Sequence, residues 1–181
     1  MNAWGRILKW FGWSVEITAP RRNKCVICVA PHTSNFDFLL GITAYKSLGR
    51  KANFLMKKFW FFFPLKYLLL SLGGIPVDRG KGKGASLVES IICKFQTSSY
   101  LNLAVTPEGT RSATEVWHTG FLRIACGAGV PVQLGIIDYS QKRIIIRDEF
   151  IPSADLEADM ARVREYYRQW RHAARYPEKF A

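Results

Sequence analysis

The chain has 181 residues, 49% of them hydrophobic and 22% charged, which places it among globular domains and excludes a disordered or low-complexity chain. Its net charge of +12 favours anionic partners: nucleic acid, an acidic carrier protein or the anionic face of a membrane. At this length a single domain is expected, running over 1–181 with no internal repeat and no linker.

Residues 1–13 set Arg6 and Lys9 among Trp4, Ile7, Leu8, Trp10, Phe11 and Trp13. They hold no small-residue cleavage site, so no signal peptide is expected, and they fall short of the about 20 apolar residues that span a bilayer. They read as an aromatic and basic arm suited to a membrane interface. Residues 14–18 and 25–30 read as strands, and 35–48 as a helix with Phe36, Leu39, Leu40 and Thr43 along one side. A short strand over 52–56 is followed by a helix over 59–70 that breaks near Pro64. The apolar stretch 54–72 carries Lys57, Lys58 and Lys66, which argue against a spanning helix but suit a segment lying in the interface.

Residues 74–77 read as a strand. Over 83–97, Leu87, Val88, Ile91, Ile92 and Phe95 repeat at helical spacing and predict an amphipathic helix. A buried strand is expected over 101–105, a short helix over 120–128, and strands over 130–137 and 143–147. Residues 153–175 read as a helix opening at Ser153 with acids in its first turn. Strands alternating with helices imply an α/β domain with a central, largely parallel sheet flanked by helices.

The four cysteines do not form a disulfide framework. Cys25 and Cys28 imitate a Cys-x-x-Cys pair, but positions three apart on a strand point to opposite faces, which speaks against a shared metal or redox pair. Cys93 and Cys126 fall on apolar helix faces and read as small core residues.

Ligands in α/β folds gather where strands end and helices begin, and four blocks fall at such points. In Ala30-Pro31-His32-Thr33-Ser34-Asn35-Phe36-Asp37, the His and Asp are out of phase on one continuous helix. They meet only if His32 lies in the loop and Asp37 in the first turn of the following helix. The carboxylate then fixes the imidazole tautomer, and the second ring nitrogen is free to take a proton from a hydroxyl. Taken alone, the pair fits equally a polar loop histidine and a helix-start acid. In Gly73-Gly74-Ile75-Pro76-Val77-Asp78-Arg79-Gly80, Arg79 at a strand end suits a phosphate clamp or a local pair with Asp78. In Val105-Thr106-Pro107-Glu108-Gly109-Thr110-Arg111-Ser112, Glu108 suits a substrate hydroxyl and Arg111 a phosphate, with Gly109 permitting an unusual turn. The fourth block, Gly129-Val130-Pro131-Val132, brings a proline to the start of a strand. His118, beside the third block, reads first as a loop histidine, with lining the site as the alternative, and His172, among Arg164, Arg168, Arg171 and Arg175, as a solvated or membrane-facing one.

In order and spacing the four blocks resemble the motifs of the glycerolipid acyltransferase family that includes 1-acyl-glycerol-3-phosphate acyltransferase, over roughly residues 32–132. The resemblance implies an O-acyltransferase that moves a fatty acyl group from a thioester to a lyso-lipid hydroxyl. It implies His32 as the base, Asp37 as its partner, and Arg79, Glu108, Gly109 and Arg111 as residues holding the glycerol-phosphate acceptor. No resident cofactor or metal is implied; acyl carrier protein (ACP) or coenzyme A (CoA) thioester serves as co-substrate. The expected partners are a lyso-lipid acceptor, the thioester donor and an anionic membrane surface, with peripheral attachment to the cytoplasmic face of the cell membrane. A lyso-amino-acid lipid is the alternative acceptor. A non-catalytic basic module for RNA or anionic membrane is the alternative of another class. Against nucleic acid, the aromatics sit in apolar runs such as Trp60-Phe61-Phe62-Phe63 rather than singly at base-stacking spacing.

Overall fold

The protein is described by a computed structural model over residues 2–78 and 84–180; Arg79 and the expected helix start at Lys83 lie outside the described residues. In chain order the elements are α1 (Ala3–Trp10), β1 (Ser14–Ile17), β2 (Lys24–Val29), α2 (Asn35–Ser47), β3 (Asn53–Lys57), α3 (Leu65–Ser71), β4 (Gly74–Val77), α4 (Gly84–Thr97), β5 (Leu101–Val105), α5 (Gly120–Ala128), β6 (Val132–Asp138), β7 (Arg143–Phe150) and α6 (Leu156–Arg168). The strands form one seven-stranded sheet in the order β1-β7-β6-β2-β5-β3-β4. Every neighbouring pair is parallel except β6 with β7, which a short reverse turn joins. The expected α/β fold is therefore the observed one.

Alternation along each strand divides the core between the two sheet faces. Val26 and Cys28 join Ile91 and Phe95 of α4, Leu122 and Ala125 of α5, and Val163 and Tyr167 of α6 on one face. Cys25 and Ile27 point the other way, with Tyr45 of α2 and Ile146 of β7, while Leu8 of α1 meets Ala44 beside them. The two cysteines thus lie in different halves of the core, both with free thiols. Tyr167 is fully buried and its hydroxyl donates to the Cys28 carbonyl at 2.7 Å, tying α6 to β2.

Several local expectations need correction. Cys93 and Cys126 are exposed, because the buried stripe of α4 runs through Ile91 and Phe95 and that of α5 through Leu122 and Ala125. The last helix ends at Arg168, followed by a 3-10 turn at Arg171–Ala173, and its cap is Asp155, which accepts from Ala158 N at 3.0 Å. Ser153 instead donates to Asp159. The helix expected over 59–70 is a 3-10 turn at Lys58–Trp60 and then α3, which begins only after Pro64. On α2 the stripe of Phe36 and Leu39 faces outward, each 54% exposed, while Asp37, Ile42, Ala44 and Tyr45 are buried. That helix is apolar on nearly every side, so its rotation is set by the bonds of Asp37 rather than by hydrophobicity. Trp13 is partly buried, edge-on to Tyr139 with ring centroids 5.1 Å apart, whereas Trp10 is 83% exposed. Among the described residues, no helix is long and apolar enough to cross a membrane.

Candidate active site

The strand order places the site. β5, β2 and β6 lie side by side and parallel, with Cys28 level with Val105 and with Leu134. Their carboxyl ends emerge together, where open α/β sheets hold ligands. The segment after β2 carries His32, the segment after β5 carries Glu108 to Arg111, and the turn after β6 carries Tyr139.

Ser34 caps α2: its Oγ accepts from Phe36 N at 3.2 Å, and Asp37, three residues on, returns the bond in a capping box. The Asp37 carboxylate does more than cap. Its Oδ2 accepts from Thr33 N and Ser34 N and lies 3.0 Å from His32 Nδ1. Its Oδ1 accepts from the Tyr139 hydroxyl at 2.6 Å. Asp37 is 3% exposed, so these bonds replace water at both oxygens. Opposite a carboxylate, Nδ1 carries the ring proton, which leaves Nε2 as the acceptor. The out-of-phase spacing of the two residues is thereby resolved as expected, with loop histidine and first-turn aspartate.

Glu108 is also 3% exposed, and its Oε1 accepts from His32 N at 3.0 Å. Burial pushes its carboxyl up to about 7, the His32 amide opposing and the Asp37 charge adding to the rise. Gly109 adopts φ +64°, and a Cβ there would stand 2.7 Å from His118 Cδ2. The left-handed turn and the close histidine both require glycine. His118 is fixed in turn by its backbone N–H, which donates to the Pro107 carbonyl at 2.8 Å. The Arg111 guanidinium is exposed and donates to Asn35 Oδ1 at the start of α2.

His32, Asp37, Gly109, Arg111 and His118 line a single cavity of about 720 Å³, with Phe38 and Ile42 of α2, Phe54 and Leu55 of β3, and Leu87 and Val88 of α4 among its apolar walls. The volume is in the usual range for a ligand pocket. Glu108 sits beneath, holding the histidine's backbone rather than facing the cavity. Sequence reasoning missed Tyr139 and the tail segment, in which Arg175 Nη1 donates to Ser34 Oγ at 3.3 Å and Tyr176 N to Thr33 Oγ1 at 3.2 Å. The strand-end rule that flagged His32 and Glu108 applies to Tyr139 too, since it follows the strand that begins at the Val-Pro-Val block. No group of three or more potential metal ligands occurs among the described residues.

A largely apolar cavity thus brings together a histidine–carboxylate pair and an exposed arginine. Residues 14–134 match the Acyltransferase family, and the chain belongs to it; the protein is an acyltransferase. Its fold is similar to the crystal structure of the 1-acyl-sn-glycerophosphate (LPA) acyltransferase PlsC from Thermotoga maritima. That match has a TM-score of 0.67 and 19% identity, and covers 92% of this chain and 74% of the other. No curated protein matches the sequence.

Proposed function

We propose that the enzyme transfers a fatty acyl group from acyl-ACP or acyl-CoA to the free hydroxyl of 1-acyl-glycerol-3-phosphate, giving phosphatidic acid. The observation that carries this reading is the shared cavity, where the His32–Asp37 pair and Arg111 stand on one largely apolar wall system.

In the proposed mechanism His32 Nε2 takes the proton as the acceptor oxygen attacks the thioester carbonyl carbon. Asp37 stabilises the imidazolium through Nδ1 and holds the ring in place. The tetrahedral oxyanion then collapses, the carbon–sulfur bond breaks, and the imidazolium returns its proton to the departing thiolate. The acceptor's own oxygen is the nucleophile, so no acyl-enzyme and no resident cofactor are needed. Arg111 holds the acceptor phosphate, with Arg79 assigned to the same anion. Glu108 and Gly109 serve the acceptor through the turn: one secures the His32 amide, the other lets the chain double back toward Arg111.

The protein is further proposed to bind peripherally to the cytoplasmic face of an anionic membrane. Support comes from exposed Phe59 and Phe63 near exposed Lys57, Lys58 and Lys66 in the chain, and from exposed Trp10 and Phe11 at the end of α1. The test of the reaction is release of free thiol from the thioester, measured with and without lysophosphatidic acid. Release that depends on the acceptor, and falls by about 10²–10⁴-fold in a folded His32→Ala variant, is expected. Release without acceptor, or none with any lyso-lipid, defeats the proposal. A panel including a lyso-amino-acid lipid identifies the acceptor.

A further inference from the structure

The bonds around Asp37 raise a question that the His–Asp pair alone does not answer. A carboxylate joined to its chain by a terminal sp³–sp² torsion turns in a broad, two-fold well. Nothing in that torsion keeps one oxygen on the histidine. Oδ2 collects three donors at 3.0 Å, from His32, Thr33 and Ser34, while Oδ1 has the Tyr139 hydroxyl at 2.6 Å. We propose, resting on the His32–Asp37 mechanism above, that Tyr139 is a positioning residue for acyl transfer: by holding Oδ1 while Oδ2 holds its three donors, it fixes the plane of the carboxylate and so its aim at His32 Nδ1.

The rest of the molecule is arranged to hold Tyr139 itself. Its backbone N–H donates to the Ala173 carbonyl at 2.8 Å, anchoring it to the turn after α6. Trp13, just past α1, packs edge-on against its ring. The Arg175 guanidinium lies 5.8 Å from the same ring and 4.4 Å from that of Phe36, while its Nη1 reaches the capping Ser34. Segments from both ends of the chain therefore converge on one tyrosine, and through it on the carboxylate behind the base. Burial, reinforced by the bond to Asp37, pushes the phenol well above its usual range, so the hydroxyl stays a donor wherever the enzyme works.

Tyr139→Phe removes one oxygen and leaves the ring, the Trp13 contact and the backbone bond. Steady-state kinetics on the full chain, with acyl-CoA and lysophosphatidic acid, give kcat and both KM values. The expected result is a fall in kcat of about 10-fold, the worth of one hydrogen bond to a charged acceptor, with both KM values unchanged. In an Asp37→Ala background the same substitution should leave the residual kcat unaltered, because the group it positions is gone. A purely structural role would lower both backgrounds alike, and that outcome overturns the proposal, as does a folded Tyr139→Phe with full kcat or with a raised KM alone. Should Tyr139→Phe fail to fold, Arg175→Gln, which keeps the hydroxyl and loosens its support, must lower kcat in the same direction and by less; an unchanged kcat there overturns it. A His32→Ala protein that keeps its turnover defeats the underlying mechanism. An inactive His32→Ala beside a fully active Tyr139→Phe defeats only the role of Tyr139.

Discussion

The turn around His32 and the aromatic segment from Lys57 to Tyr67 both carry proposed functional side chains, and they are built in opposite ways. In the turn, Thr33, Ser34, Asp37 and Glu108 are buried, and each has a hydrogen-bond partner. In the aromatic segment, Phe59 and Phe63 are each 80% exposed, and among the described residues their ring–ring contacts are with close sequence neighbours, Trp60 and Tyr67. Leu69 is the one buried side chain of α3. Polar groups are placed to fractions of an ångström because unpaired buried atoms are costly. Apolar groups left outside have no such constraint, and a run of them marks a surface that another phase or partner covers. One region holds a geometry; the other offers an area.

The sharpest way to break the first half of this contrast is Asp37→Asn. The amide keeps the shape but removes the negative charge that three donors, the imidazole among them, now face. The change should reduce kcat by about 10²–10⁴-fold, the span of general-base catalysis, with a modest loss of melting temperature from the weakened cap. Turnover within a few-fold of the parent would show that the histidine does not depend on its partner.

Arg111→Ala comes next. The guanidinium contacts Asn35 and faces the cavity, so its loss should fall on the acceptor and not on the thioester. A charge-assisted contact is worth roughly 1.5–3 kcal/mol, or about 10–150-fold in acceptor kcat/KM. Equal loss toward an acceptor without phosphate would remove the phosphate role and favour a lyso-amino-acid lipid.

Much of this site was legible in the sequence because strand ends are local events. A buried run followed by Pro-His or Pro-Glu-Gly marks its own boundary, and parallel pairing of β2 with β5 brings the two turns together. What escaped was set by long-range contact. Tyr139 lies 102 residues from Asp37, and Arg175 lies 141 from Ser34. The rotation of α2 escaped for a different reason: a helix apolar on all sides carries no directional signal, and one buried carboxylate turned it. The early end of α6 escaped because the arginines that follow it fit a solvated helix as well as a looped tail.

Glu108 sharpens the contrast through pH. Its folded carboxyl titrates at about 7 against 4.5 in an ordinary setting. Between those values the folded state holds a proton that the unfolded chain has lost, so stability from this group is greatest at low pH and declines as pH rises toward 7. Glu108→Gln keeps an oxygen for the His32 amide and removes the buried charge. It should raise the melting temperature at pH 8 by about 2–4 °C, what roughly 1 kcal/mol gives a domain of this size, and change little at pH 5. Equal shifts at both pH values would show that the charge is not what the burial penalises.

The smallest expected effect belongs to the open region. Lys57, Lys58 and Lys66 are exposed beside the aromatic rings, and the Lys66 Nζ sits 5.4 Å from the Tyr67 ring. If this face meets anionic lipid, each lysine near the surface contributes about 1 kcal/mol, so each single Lys→Gln change should weaken vesicle partitioning about 5-fold. The contributions should add across separate sites and shrink as salt rises, since screening acts on every one. Phe59→Ala and Phe63→Ala should weaken binding too, but without that salt dependence, because their share is hydrophobic burial. Sedimentation with vesicles of graded anionic content separates the two contributions. Binding that ignores lipid charge and salt would leave only the rings as the attachment. A chain that never sediments would leave the exposed face to a second copy or to another protein, which analytical ultracentrifugation distinguishes by mass.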